Sequence, residues 1–185
     1  MNRGARTVTR QSGKVQTRSR ALGLLCAVGA VPLLAASPVD PKFLGAFEKW
    51  SAYAVQGQKG KHCFVYGEPT EQKGKFKSRG KVSVTVSHRP ADKVRNEVSF
   101  SAGYSFKPES QLEIVIDGNK KFMLFVDGGS AWAPDAQTDQ DLRKAIVAGK
   151  KMVVVGTSTR GTKTTDTYSL SGTKAALERI DQECP

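Results

Sequence analysis

The stretch QLEIVIDGNKKFMLFVD, residues 111–127, predicts two strands joined by a tight turn. Side chains alternate between the two faces of an extended chain, so Leu112, Ile114 and Ile116 share one face. The Asp-Gly step at residues 117–118 lies between the two apolar runs, where it is a strong signal for a β-hairpin. This stretch therefore indicates an antiparallel sheet.

The same period-two pattern extends outward from this hairpin. KVSVTVSH places Val82, Val84 and Val86 on one face, and VRNEVSFSAGY points Val98 and Phe100 inward. Further strands are predicted for WSAYAVQG (50–57) and KHCFVYG (61–67). Eight or nine short strands that do not alternate regularly with helices predict a mostly β protein, an antiparallel sandwich or barrel, and argue against a parallel doubly wound sheet.

Two helical segments accompany the strands. TDQDLRKAIVAGKK, residues 138–151, is predicted to be a helix with Thr138 as its N-cap and Gly149 at its C-terminal stop. Its inward face is formed by Leu142, Ala145 and Ile146. TKAALERIDQEC, residues 173–184, is predicted to be a closing helix that brings Cys184 to the body of the protein.

The polar stretch GTSTRGTKTTDTYSLSG, residues 156–172, is predicted to be a hairpin with its turn at Arg160 and Gly161. It does not match the G-x-S-x-G nucleophile elbow, because one extra residue separates its glycines and a strand follows. It also contains no G-x-x-x-x-G-K-[ST] run that leads into a helix, as a phosphate-binding loop requires. An envelope hydrolase that uses Ser158, or an acid such as Asp166, stays open as an alternative function.

The N-terminus resembles an export signal. The first twenty residues contain six arginines or lysines and no acid, and residues 21–37 carry no charge. A basic region followed by a short apolar run predicts a signal peptide over residues 1–37, with an uncleaved anchor as the alternative. An extended lead-in over 38–46 and a single domain over 47–185 would follow, in the periplasm or associated with the outer membrane.

Two cysteines remain after removal of the predicted signal peptide, Cys63 and Cys184. In an exported protein an even pair favours a disulfide over two buried thiols. The two histidines and the scattered acids show none of the known metal-ligand spacings, so we expect no metal and no cofactor.

The segment QKGKFKSRGK, residues 72–81, is the strongest candidate for a binding site. It alternates neutral residues with Lys73, Lys75, Lys77, Arg79 and Lys81. Such a segment is suited to a polyanion such as an anionic glycan or lipopolysaccharide, and the alternative is a solvated loop that aids solubility. Nucleic acid is not expected as a partner of an exported protein.

Four stretches resemble the invasion-associated locus B family of small exported bacterial proteins. They are FEKWSAY…HCFVYGEP, VSHRPADKVRNEVSFSAGYSFKP, FMLFVDGGSAWA and GTSTRGTKTTDTYSLSGTKAAL…C. The resemblance implies an immunoglobulin-like β-sandwich in the bacterial envelope, a link to host-cell entry, and no assigned catalytic residues. We therefore expect a non-enzymatic module for binding or envelope support, with an envelope or host-surface partner and at most peripheral membrane association.

Overall fold

The computed structural model describes residues 40–185. The predicted signal peptide lies outside these residues. Within them, the strands in chain order are β1 (Lys42–Phe47), β2 (Trp50–Gly57), β3 (Gly60–Gly67), β4 (Glu71–Gly74), β5 (Ser83–Arg89), β6 (Val94–Ser101), β7 (Gln111–Ile116), β8 (Lys120–Asp127), β9 (Ser130–Trp132), β10 (Lys151–Thr157) and β11 (Lys163–Ser169). The helices are α1 (Ala136–Ala148) and α2 (Thr173–Glu183), and a short 3-10 turn covers Pro90–Asp92.

All strand pairs are antiparallel, in the order β1-β2-β3-β5-β6-β9-β8-β7-β10-β11-β4. The short strand β9 joins a half formed by β1, β2, β3, β5 and β6 to a half formed by the other strands. Contacts between distant strands show that the halves face each other. The Trp50 indole in β2 donates a hydrogen bond to the Ser169 carbonyl in β11, and Phe100 packs edge-on against Tyr168. The mostly β antiparallel sandwich expected from the sequence is therefore confirmed.

The core forms where the alternating apolar faces of the two halves meet. Val84 and Val86 of β5 and Val98 of β6 are completely buried, and they belong to one cluster with Leu112 and Ile114 of β7. Burial of each such side chain contributes about 1.5–3 kcal/mol to the free energy of unfolding. The period-two pattern of the sequence thus identified the core-facing residues correctly.

Both predicted hairpins are present. Strands β7 and β8 pair across a turn in which Asp117 and Gly118 have positive φ angles of 50° and 79°. Gly and Asp tolerate this left-handed backbone better than most residues, which explains why they occupy the turn. Strands β10 and β11 pair from Lys151 to Thr157 across the turn at residues 158–162. The stretch 156–172 is thus a hairpin.

Two strands were not expected as such. Strand β1 overlaps the segment 38–46 that was predicted to be an extended lead-in, and β4 overlaps the start of the basic segment 72–81. All four residues of β4 are exposed, so its sequence carries no apolar alternation that could reveal it. The sheet therefore has eleven strands rather than eight or nine.

The prediction that Thr138 caps α1 is wrong. Asp135 is the N-cap, and its carboxylate accepts a hydrogen bond from the Thr138 backbone N–H at 2.7 Å. An N-cap side chain accepts a hydrogen bond from the backbone N–H two or three positions later. With Asp135 as the cap, the helix begins at Ala136, before the predicted start at Thr138. The predicted inward face of Leu142, Ala145 and Ile146 is buried as expected.

Helix α2 packs against β1, β2 and β3, and Cys184 is its C-cap residue. Cys184 forms the predicted disulfide with Cys63 of β3, and their Cα atoms are 6.0 Å apart. Neither α1 nor α2, the helices of residues 40–185, is long and apolar enough to cross a membrane.

Candidate functional site

A cleft of about 650 Å³ opens at one end of the sandwich. Three segments form its walls: residues 75–80 after β4, residues 103–105 after β6, and the turn and strand start at 158–164. The lining contains Lys75, Lys77, Arg79, Arg160 and several Ser and Thr hydroxyls, and none of the described lining residues is Asp or Glu. The cleft therefore presents positive charge without a competing carboxylate on its surface.

The structure divides the five cations predicted from the basic segment into three groups. Lys75 and Lys77 line the cleft as exposed side chains. Lys73, on the edge strand β4, pairs with Glu71 at 2.8 Å, and Lys81 lies 3.6 Å from Glu68. The fifth cation, Arg79, is not a surface charge.

The Arg79 side chain lies in the interior, only 2% exposed. Its Nη1 and Nη2 atoms bind the two oxygens of Asp166 at 2.6 and 2.8 Å, and its Nε and Nη2 atoms donate to the Ala102 carbonyl. The guanidinium also lies 5.1 Å from the ring centroids of both Phe76 and Tyr104. Arg79 therefore holds the cleft walls together instead of offering a free charge to a ligand.

Arg160 is a cleft cation that the basic segment alone could not reveal. It occupies the turn between β10 and β11 and is exposed. Within residues 40–185, no carboxylate lies within 4.0 Å of Lys75, Lys77 or Arg160. The sequence signal was the Arg-Gly pair at the predicted turn, but only the fold places that turn opposite residues 75–80.

Backbone hydrogen bonds fix the position of this turn. The Ser158 carbonyl accepts from the Gly161 N–H at 2.8 Å, and the Ser158 N–H donates to the Thr162 carbonyl at 2.9 Å. The Thr159 N–H donates to the Ser105 carbonyl at 2.9 Å, which ties the turn to the neighbouring wall. The cleft is thus built on an ordered frame.

The polar groups at the base of the cleft are paired. The Tyr104 hydroxyl and the Thr164 hydroxyl share a hydrogen bond of 2.6 Å. Burial raises the pKa of Tyr104, partly opposed by the bond to Thr164 and the charge of Arg79. The phenol is therefore neutral at physiological pH and contributes a hydrogen-bonding group without charge.

Ser158 is buried, and its hydroxyl accepts a hydrogen bond from the Thr162 backbone N–H at 3.2 Å. In the part of the chain that the structure describes, no hydrogen bond joins it to a histidine. The His88 ring instead bonds Asp181 at 2.7 Å and accepts from the Asn96 N–H at 3.1 Å. Asp166, the other residue of the hydrolase alternative, is bonded to Arg79. The described geometry thus places no base beside Ser158.

Among residues 40–185, no group of three or more His, Cys, Asp or Glu side chains is arranged to hold a metal ion. The cleft offers cations, hydroxyls and one neutral phenol, and these groups suit reversible binding of an anion.

The fold and the cleft together define a small antiparallel β-sandwich with a disulfide-anchored closing helix and a basic cleft. The family model described as "Invasion associated locus B (IalB) protein" matches residues 50–181, so the chain belongs to this family. No curated protein and no solved structure matches the chain.

Proposed function

We propose that this chain is an exported, non-enzymatic envelope protein of the IalB family that binds an anionic glycan or lipopolysaccharide in its basic cleft. The observation that carries the proposal is the lining of the cleft, which includes Lys75, Lys77 and Arg160 and, among the described residues, no carboxylate. Like-charged side chains repel each other, and a bound anion relieves that repulsion. The host-interaction role follows if the anion belongs to a host-surface glycan.

Export is supported by the basic and then apolar pattern of residues 1–37 and by the Cys63–Cys184 disulfide. We place the protein in the periplasm or on the outer membrane, where an anionic glycan or lipopolysaccharide is accessible. Any contact with the membrane would then be peripheral, through exposed cations such as Lys75 and Lys77 rather than through a spanning helix.

Binding would be electrostatic and would depend on salt. The three cleft cations are exposed, so mobile ions screen them, with a Debye length of about 8 Å at physiological ionic strength. Hydroxyls of the lining can give the ligand directional hydrogen bonds, which fix its orientation and add specificity.

The test compares two triple variants with the same net charge. One carries Lys75→Gln, Lys77→Gln and Arg160→Gln. The matched control carries Lys73→Gln, Lys81→Gln and Lys144→Gln, which removes three exposed cations that pair with Glu71, Glu68 and Asp141. Affinity for immobilised heparin and for lipopolysaccharide is measured at several salt concentrations.

We expect the cleft variant to bind at least tenfold more weakly than wild type, and the control to stay within about threefold. If both variants bind more weakly by the same factor, net charge alone drives binding, and the cleft is not the binding site. Unchanged binding by the cleft variant would refute the proposal as a whole. Circular dichroism verifies that both variants are folded.

A further inference from the structure

The geometry points to a compact phosphorylated sugar, rather than an extended polyanion, as the occupant of the cleft; this inference rests on the proposed function and narrows its ligand. A phosphorylated sugar is available both as a free sugar phosphate and as the headgroup of a glycolipid. The chemistry that the cleft would recognise is the same in both cases: one phosphate monoester next to a ring that carries hydroxyls.

The first argument is the placement of the cations. Lys75 and Lys77 belong to one wall, and Arg160 belongs to the turn that forms another wall. A long polyanion is best matched by a row of cations along one surface. The members of the basic segment that would extend such a row, Lys73 and Lys81, are instead paired with glutamates outside the lining. Among the described residues, the unpaired cations of the segment therefore line one cleft together with Arg160 and do not form a continuous row.

The second argument is size. A volume of about 650 Å³ lies within the range of roughly 300–1,000 Å³ that is common for small-molecule sites. A sugar of one or two rings with its phosphate fits such a space. A polymer would need a groove that continues beyond both ends.

The third argument is the chemistry of the lining. Ser78, Ser105 and Thr159 are exposed on the cleft surface and can exchange hydrogen bonds with sugar hydroxyls. The Arg160 guanidinium has the planar donor pattern that fits phosphate oxygens, and the lysines add point charges. Phe76 is 37% exposed in the lining, and its ring provides a surface on which the apolar face of a sugar can pack.

The fourth argument is that the walls are fixed before any ligand arrives. Residues 75–80 are tied to the next wall by the hydrogen bond from the Gly80 N–H to the Gly103 carbonyl at 2.8 Å. A Cβ atom on Gly103, whose φ is +69°, would overlap the Gly80 carbonyl, so the two backbones are in close contact. The buried ion pair between Arg79 and Asp166 stabilises the same contact from the protein interior. A preorganised site loses little conformational freedom on binding, which favours a small ligand with few contacts.

The test uses glucose 6-phosphate as the probe, with glucose and inorganic phosphate as its two halves. Binding to the wild-type chain is measured by isothermal titration calorimetry, and lipopolysaccharide is added as a competitor. We expect glucose 6-phosphate to bind at least tenfold more tightly than inorganic phosphate, and glucose not to bind. Displacement by lipopolysaccharide would identify a lipid-linked phosphosugar as a source, and its absence would identify the free form; both outcomes support the inference.

Variants locate the site. Arg160→Gln alone, and Lys75→Gln with Lys77→Gln, should each weaken glucose 6-phosphate binding at least tenfold, whereas Lys73→Gln with Lys81→Gln should leave it within twofold. Phe76→Leu should weaken binding of glucose 6-phosphate severalfold while leaving inorganic phosphate unchanged. Melting curves of each variant verify folding.

Several results would overturn the inference. The inference fails if glucose 6-phosphate does not bind, or if it binds no more tightly than inorganic phosphate. It also fails if glucose 6-phosphate binds to Arg160→Gln as tightly as to wild type. If heparin binding still depends on the three cleft cations, such a result excludes a compact phosphorylated sugar as the ligand, and the proposed function stands. If heparin and lipopolysaccharide binding are also insensitive to those cations, the proposed function fails with it.

Discussion

At the scale of single residues, Arg79 and Asp166 hold opposite charges inside the protein, with side chains only 2% and 5% exposed. Removing one member of a buried ion pair leaves the other charge without compensation. We therefore expect Arg79→Gln to lower the free energy of unfolding by about 3–5 kcal/mol, measured by urea denaturation.

The controls for this prediction come from the same segment of the chain. Lys73→Gln breaks an exposed ion pair with Glu71 and should change stability by less than about 1 kcal/mol. Replacing both buried partners, as Arg79→Met with Asp166→Leu, should recover most of the loss, because no unpaired charge remains. A cost of Arg79→Gln no larger than that of Lys73→Gln would contradict the assigned role.

Asp139 makes stability depend on pH. Burial raises the pKa of Asp139 from 3.8 to about 6, with smaller contributions from the nearby acids Glu97 and Asp135, although the Val98 N–H donates to its carboxylate at 2.8 Å. The folded state thus holds this proton more tightly than the unfolded state. The contribution to stability is present at low pH and is lost as the pH rises from about 4 through 6.

Asp139→Asn should remove this dependence. The amide oxygen can still accept from the Val98 N–H but carries no charge to desolvate. We expect the variant to be more stable at pH 7 by about 1 kcal/mol, a value reduced from the full shift because the side chain is half-exposed. The measurement is urea unfolding at pH 4, 5, 6 and 7. If the free energy of unfolding changes by the same amount between pH 4 and pH 7 in wild type and in Asp139→Asn, the assignment is wrong.

At the scale of secondary-structure elements, the disulfide anchors α2 to the first half of the sheet. Cys63→Ser with Cys184→Ser should lower the free energy of unfolding by about 2–5 kcal/mol. Other contacts also hold this end of α2, including the Lys61–Glu183 ion pair at 2.9 Å and the bond from Arg95 to the Cys184 carbonyl. We therefore expect the variant to fold but to melt at a lower temperature, and wild type to lose a similar amount when reduced.

The matched control is Lys61→Gln, which removes the exposed ion pair and keeps the disulfide, and should cost less than about 1 kcal/mol. Hydrogen exchange identifies the element that responds. Faster exchange should appear first in α2, and uniform acceleration across all strands would argue against a local anchor.

The elements that the sequence predicted are those with strong periodic burial. The hairpin at 111–127, strand β10 and the inward face of α1 all carry apolar residues at the spacing of their element. Strand β4 was missed because a four-residue exposed edge strand has no such pattern. The start of α1 was displaced because Asp135 and Thr138 are both capping residue types, and the sequence alone does not decide between them.

The candidate site was less accessible to prediction than the fold. The basic segment contributes Lys75 and Lys77 to one wall of the cleft. Its sequence could not show that Arg79 turns inward, because the partner Asp166 lies 87 positions away. Arg160 contributes from a distant hairpin turn for the same reason. Local patterns determine elements, whereas a site assembled from separate segments depends on how those elements pack.

At the scale of the whole molecule, one continuous core joins both halves of the sandwich and both helices. Buried residues of β2, β5, β7, α1 and α2 belong to the same cluster. The described residues should therefore unfold in a single cooperative transition, with an enthalpy of about 100 kcal/mol near 60 °C. Tryptophan fluorescence and far-ultraviolet circular dichroism should give superimposable curves, and two separated transitions would show that the halves are independent.

The buried pair between residues 79 and 166 also has a consequence for how this family diversifies. Either charge is harmful without the other, so the two positions can change only together as lineages separate. Lys75, Lys77 and Arg160 are under no such mutual constraint and can be exchanged one at a time. Descendants of a common ancestor can thus vary the exposed cations of the cleft while they inherit the buried ion pair.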